Sequence, residues 1–263
     1  RGSRPKVSKV IENRGTYKSG TIPDGVLYLT AGIDVQEGSE ANQEGARLEM
    51  SVLGVGRQNR TWLIEHRVFD GPVLDPYAGA WAALNVYLIE HGSKMYRRSD
   101  GFGMWPMLIF VDSGSGKVTD TVYSFCRECV NVFPSKGFSQ LKQRKTEKPD
   151  DVTGRTIRYR AAKIGDGTVY EINTNYYKDS LYRRLAIPRQ DEYPQRGGFV
   201  EFPHDLPESY FEQLTAEQRV LARGATGLAE RWIKRRPRNE VLDCRNYALH
   251  AAYMLGLHQY VHK

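Results

Sequence analysis

The sequence predicts an α/β protein organised on one mixed sheet, antiparallel in its first three strands, parallel beyond them, and flanked by helices. Three observations predict it. Residues 26–35 (VLYLTAGIDV), 47–56 and 60–69 are successive alternating or β-branched and aromatic segments joined by compact polar connections, as in an antiparallel meander. The continuous apolar run 106–111 (PMLIFV) is that of a strand covered on both faces. A helical period over 119–130 and a short strand at 132–134 follow it, and a strand–helix–strand unit pairs its strands in parallel.

The remaining elements fall in order around this frame. Residues 1–24 have mixed polarity and no period, and read as a linker or an N-terminal strap, with one domain over 25–263. Residues 38–45 (GSEANQEG) form a polar turn. A helix is expected over 75–91, with Trp81, Leu84, Leu88 and Tyr77 on one face. Residues 137–155 are polar and basic, a loop that is either mobile or ordered by a polyanion. Residues 156–160 and 168–172 make a hairpin around Gly165-Asp166-Gly167. A helix over 175–185 buries Tyr177, Leu181 and Leu185, and Tyr176, Tyr177 and Lys178 at its start read as structural. A strand at 198–202, a short helix at 207–214 and strand pieces at 219–222 and 230–234 follow. Residues 240–257 form the clearest helix of the chain. A meander, α/β crossovers and a closing helix together are the element order of a ribonuclease-H-like fold.

Composition narrows the function. In 263 residues, 40% hydrophobic and 26% charged, no apolar stretch is long enough to span a membrane. The formal net charge is +7 and the pI about 9.2, which favours a polyanionic partner. The basic residues cluster at 1–9, 97–98, 136–148, 155–163 and 231–238. Cys126 and Cys129 have the spacing of a zinc knuckle, but with no second pair a zinc site is not expected, and three cysteines suit a reducing cytosol.

Three aspartates stand where acids need a reason. Asp34 ends the first strand after Ala31-Gly32-Ile33, and Asp112 ends the most apolar strand before Ser113-Gly114. Buried unpaired charge is costly, so each is either a ligand group or a local cap, turn former or ion-pair partner. Asp243 lies inside the last helix, where aspartate is a poor helix former. Val241, Cys244, Ala248, Ala251 and Leu255 form that helix's packed stripe, Tyr247 and Met254 widen it, and Asp243 lies just beyond. Pairing of Glu240 and Asp243 with Arg235, Arg236 and Arg238 is the alternative. Carboxylates that converge repel one another unless cations separate them, and they are the hard ligands that Mg²⁺ and Mn²⁺ accept. Two such ions serve phosphodiester hydrolysis. No HExxH, Gly-x-Ser-x-Gly or Walker A pattern offers another chemistry.

Several dispersed segments carry a resemblance: Leu29-Thr30-Ala31-Gly32-Ile33-Asp34-Val35-Gln36, Arg47-Leu48-Glu49-Met50, Ile109-Phe110-Val111-Asp112-Ser113-Gly114, Phe133-Pro134-Ser135-Lys136-Gly137, residues 199–203, Gln213-Leu214-Thr215-Ala216-Glu217, and Arg238-Asn239-Glu240-Val241-Leu242-Asp243-Cys244. In this order, from about residue 25 onward, they resemble the C-terminal nuclease of the lambda-type (gpA-like) phage terminase large subunits. The resemblance implies a ribonuclease-H-like endonuclease that cuts concatemeric viral DNA during packaging, in the cytoplasm of the infected bacterium. It implies metal ligands at Asp34, Asp112 and Asp243, and two Mg²⁺ or Mn²⁺ ions. The implied partners are double-stranded DNA and, in the full-length protein, an ATPase domain, the terminase small subunit and the portal or procapsid. Residues 1–24 would then be left from the ATPase–nuclease junction. Glu49, near Asp34, is a ligand, a water-positioning group or a plain exposed strand residue. Lys136 either contacts the scissile phosphate or is a solvated surface lysine. Lys142, Arg144, Lys145, Lys148, Arg155, Arg158, Arg160 and Lys163 are expected on backbone phosphates. Arg235 and Arg236 take the same role or form a docking face.

Overall fold

The computed structural model describes residues 4–88, 95–150, 156–165, 167–191, 195–224 and 227–257. The first half of the chain forms α1 (Val7–Ile11), β1 (Thr21–Ile22), β2 (Val26–Gln36), β3 (Arg47–Gly56), β4 (Thr61–Asp70), α2 (Gly79–Leu88), β5 (Tyr96–Arg98), β6 (Gly103–Met104), β7 (Pro106–Asp112), α3 (Thr119–Arg127) and β8 (Val132–Phe138). The second half forms β9 (Tyr159–Ile164), β10 (Gly167–Asn173), α4 (Thr174–Leu185), β11 (Val200–Glu201), α5 (Glu208–Leu214), β12 (Glu217–Gly224), β13 (Gly227–Lys234) and α6 (Glu240–Met254).

Eight strands make the main sheet, in the order β11-β4-β3-β2-β7-β8-β10-β9. The meander β2–β3–β4 is antiparallel, β7 joins β2 in parallel, and β8 and β10 extend the parallel part. The sheet is thus mixed and flanked by helices, an architecture compatible with a ribonuclease-H-like fold. Side-chain alternation along β2 sets the layers. Leu29, Ala31, Ile33 and Val35 face a core shared with Trp81 and Leu84 of α2 and Val122 and Phe125 of α3. Tyr28, Thr30, Gly32 and Asp34 face α6. There the Thr30 hydroxyl donates to Ala248 O at 2.9 Å and the Tyr28 hydroxyl to Ala252 O at 3.3 Å. Tyr177 and Leu181 of α4 and Phe211 and Leu214 of α5 complete that second core.

Gly32 explains why α6 can lie so close. A Cβ at that position would sit 2.1 Å from Cys244 O and 2.5 Å from Ala248 N, inside the helix backbone. The small residues Ala248, Ala251 and Ala252 are fully buried, and the helix is covered nearly all round rather than along one stripe.

Several expected bounds shift for physical reasons. Helix α2 begins at Gly79, itself a positive-φ residue (+56°), so Tyr77 lies before the helix and is 70% exposed rather than on its buried face. Helix α3 stops at Arg127, and Val130 stands in solvent. Strand β8 runs on to Phe138 because Ser135–Phe138 pair with Tyr170–Asn173 of β10. The hairpin of β9 and β10 closes as expected but begins at Tyr159. The three-stranded sheet β1-β5-β6 was not foreseen, since strands of two or three residues carry no readable period. Within residues 1–24, Val10 of α1 is fully buried and Arg14 bridges to Phe202.

Candidate active site

The parallel register Ile33↔Val111 carries the next residues, Asp34 and Asp112, out together at the C-terminal ends of β2 and β7. Open sheets commonly gather ligand groups at that end. Both side chains lie on the α6 side of the sheet, and Asp243 in the first turn of α6 approaches from above. An acid there is favoured by the N-terminal end of the helix dipole.

Asp34 is buried, Asp112 and Asp243 are half-buried, and each carboxyl group is held by a neighbour. Asp34 Oδ2 accepts from Gln36 Nε2 at 2.6 Å. Asp112 Oδ1 accepts from the Tyr247 hydroxyl at 2.7 Å and from the Gly114 N–H at 2.9 Å. Asp243 Oδ2 accepts from Asn239 Nδ2 at 2.8 Å. Burial, followed by the charges of Asp243 and Asp112, holds the Asp34 carboxyl well above the usual range. Burial also raises Asp112, against the Tyr247 hydrogen bond and the charge of Lys136. Asp243 is pushed up to about 7, first by burial and then by Glu217 and Asp112, while Lys178 opposes the shift. Three acids from distant parts of the chain are thus gathered at one end of the sheet, on its α6 side.

Among the described residues, no three His, Cys, Asp or Glu side chains converge into a ready-made metal cluster. The donor set nevertheless suits a divalent cation. It consists of hard carboxylate oxygens on rigid elements, and bringing their charged forms together requires a counter-charge.

Glu49 pairs with Asp34 across β2 and β3 and is fully buried, not an exposed strand residue. Arg47 Nε lies 2.6 Å from its Oε1, Arg238 Nη2 2.5 Å from the same oxygen, and His66 Nε2 3.4 Å from Oε2. Burial would raise its pKa, but the His66 and Arg47 hydrogen bonds and the charges of His66 and Arg238 outweigh burial and lower it to about 2. Glu240 pairs with Arg47 at 3.2 Å and Arg238 at 3.3 Å. Arg236 reaches instead toward Glu212 and Thr215.

The basic residues divide. Lys142, Arg144, Lys145, Lys148, Lys163 and Arg235 are exposed, and Lys136 and Arg236 are half-buried. Arg158 corrects the sequence reading: it is buried, lies 3.4 Å from Asp150 and stacks over Tyr253. Arg160 is a second correction, tied to Glu147, Glu171 and Lys142 O within the fold. Neither guanidinium is free for a phosphate. Arg155 lies outside the described residues.

Sequence reasoning missed the groups that hold the acids. Lys178, read as structural, donates from Nζ to both oxygens of Glu217, at 2.9 and 2.8 Å, and Asn239 bridges Glu217 to Asp243. Gln36 was in view only within a segment that carries the resemblance, and Tyr247 only as a residue that widens the helix stripe. The asparagine before the last helix was the one available local signal, since that position usually caps.

The family described as "Terminase large subunit gpA, endonuclease domain" matches residues 1–262. The chain is similar to the terminase large subunit of Escherichia phage lambda, 32% identical over 260 residues, which cover 95% of this chain and 36% of that protein. It is also similar to the terminase large subunit of Enterobacteria phage P21, 28% identical over 253 residues, covering 91% of this chain and 34% of the relative. The chain thus spans about a third of the length of these relatives. No solved structure matches it.

Proposed function

The chain belongs to the family of gpA-type terminase large subunit endonuclease domains, and from that premise we propose that it is a divalent-metal-dependent endodeoxyribonuclease that cuts concatemeric viral DNA during genome packaging. The observation that carries this reading is geometric: the parallel register brings Asp34 and Asp112 out together at the ends of β2 and β7, on the face covered by α6, whose first turn carries Asp243. Their carboxylates are the groups that would hold the metal.

Two Mg²⁺ or Mn²⁺ ions, when bound, supply an activated water and a counter-charge for the leaving oxygen of the phosphodiester. The chain's own residues do the rest. Gln36, Tyr247 and Asn239 hold the three carboxylates through hydrogen bonds, so that little reorientation is needed as DNA arrives. Glu49 is engaged by two arginines and a histidine. It therefore serves as a buried anchor that draws Arg47 and Arg238 toward the site, rather than as a free ligand. Lys136 sits close enough to Asp112 to temper its charge, and a phosphate there would meet the same cation. The exposed Lys142, Arg144, Lys145 and Lys148 supply sequence-independent attraction to duplex DNA.

In the full-length protein the partners would be an ATPase domain, the small subunit and the portal or procapsid, in the cytoplasm of the infected bacterium. No described helix is long and apolar enough to cross a membrane. A plasmid-cleavage assay tests the proposal. The purified chain should nick or linearise supercoiled DNA with Mn²⁺ or Mg²⁺, and EDTA should stop it. Asp34→Asn, Asp112→Asn and Asp243→Asn should each lower the rate by roughly a hundredfold or more, with the far-ultraviolet circular dichroism retained. Cutting that persists in all three single variants would sink the assignment.

A further inference from the structure

Asn239 immediately precedes α6, where an asparagine side chain ordinarily accepts a hydrogen bond from a first-turn backbone N–H. It makes no such cap here. Its amide nitrogen donates twice instead, to Glu217 Oε1 at 3.0 Å and to Asp243 Oδ2 at 2.8 Å. An amide NH₂ has two hydrogens, so two carboxylates use its whole donor capacity. Glu217, the first residue of β12, is in turn gripped by Lys178 of α4 through both oxygens. Both members of that pair are buried.

The residue therefore forgoes a stabilising helix cap and gives both donors to two acids. Without the amide, Glu217 and Asp243 would face each other as like charges. Lys178 answers the charge of Glu217, and Asn239 answers the geometry of Asp243.

We propose that Asn239, anchored by the buried Lys178–Glu217 ion pair, is a positioning residue that fixes the Asp243 carboxylate for a divalent cation. The proposal rests on the metal-site reading above. With Oδ2 tied to an amide that is itself tied to α4 and β12, the carboxylate is locked by three separate parts of the chain. Groups that orient a metal ligand commonly change metal affinity or activity by about 10- to 100-fold when removed.

The deciding variant is Asn239→Ser. Serine removes both amide donors but brings a hydroxyl able to cap α6. The positioning role predicts a variant that still folds, with the regained cap offsetting part of the lost bonds, and Mn²⁺ affinity weakened about tenfold or more. Free Mn²⁺ measured by electron paramagnetic resonance, without DNA, reads the affinity, and Asp243→Asn runs beside it. Parental Mn²⁺ affinity in Asn239→Ser, with affinity lost in Asp243→Asn, overturns the positioning role and leaves the metal site standing. Parental affinity in both variants overturns the metal site, and the positioning role with it.

A second pair keeps the test decisive if the serine variant fails to fold. Lys178→Met/Glu217→Gln and Lys178→Met/Glu217→Leu are both neutral at the anchor, but only the first keeps an oxygen that can accept from Asn239. The positioning role predicts that the glutamine form binds Mn²⁺ more tightly, and equal affinities overturn it.

Discussion

The Tyr247 hydroxyl shows how much of the site depends on single atoms. It donates to Asp112 Oδ1, while its ring belongs to the core beneath α6. Tyr247→Phe removes one oxygen and keeps the ring. Asp112 still accepts from the Gly114 N–H, so the fold should survive. If Asp112 holds a metal as proposed, loss of one orienting bond to its carboxylate should lower the Mn²⁺-supported cleavage rate about tenfold. A rate within twofold of the parent, with an unchanged melting curve, would remove Tyr247 from the site. This oxygen could not be foreseen, whereas Asp34, Asp112 and Asp243 could be singled out. An acid at the end of an apolar run is conspicuous in one dimension. A tyrosine 135 residues from its acceptor looks like any other core aromatic. Arg158 and Arg160 misled for the converse reason. A run of cations reads as a surface, and only folding brings Asp150, Glu147 and Glu171 against them.

Among the elements, the contact of β2 with α6 is the one on which the site depends, because it sets Asp243 above Asp34. Gly32 permits it. Gly32→Ala would drive a methyl group into the backbone of α6 at Cys244 and Ala248, atoms that cannot turn aside as a side-chain tip can. The helix must rise or the strand must bend, and overpacking of this kind costs roughly 3 kcal/mol or more against a rigid neighbour. A lower urea midpoint together with lost cleavage is the expected outcome. A fully stable and active alanine variant would mean that α6 does not sit where the structure has it. Most elements were legible because they are long: β2, β3 and β4 are apolar-rich segments of ten or eleven residues each. The strands at Thr21–Ile22, Tyr96–Arg98 and Gly103–Met104 were not, since they exist only by pairing with one another. The extension of β8 was hidden for the same reason, its partner lying more than thirty residues on in β10.

The whole molecule is joined at His250, which sits fully buried among Phe110 of β7, Tyr159 of β9, Tyr170 of β10 and Tyr177 of α4. Its Nδ1 lies 2.9 Å from the Tyr177 hydroxyl. Burial, and then the positive charge of Arg158, depress its pKa from the ordinary 6.5 to about 3. The folded chain therefore keeps this imidazole neutral at a pH where the unfolded chain would protonate it. Between pH 6.5 and 3 the unfolded state binds the extra proton, so this residue's contribution to stability is full above pH 6.5 and declines as pH falls. The slope approaches 1.4 kcal/mol per pH unit, or roughly 2 kcal/mol by pH 5. Other groups titrate over the same range, Asp243 among them with the opposite sign, since its raised pKa favours the folded state on acidification. The difference between two chains isolates the histidine. His250→Gln keeps a polar side chain beside Tyr177 and cannot ionise. Its unfolding free energy, followed by urea titration at intervals from pH 7 to pH 4.5, should start below that of the parent chain and then close on it as the solution is acidified. Parallel curves would show that the histidine is hydrated or already charged, and that the aromatic cluster joining the parallel strands to α4 and α6 is not closed to water.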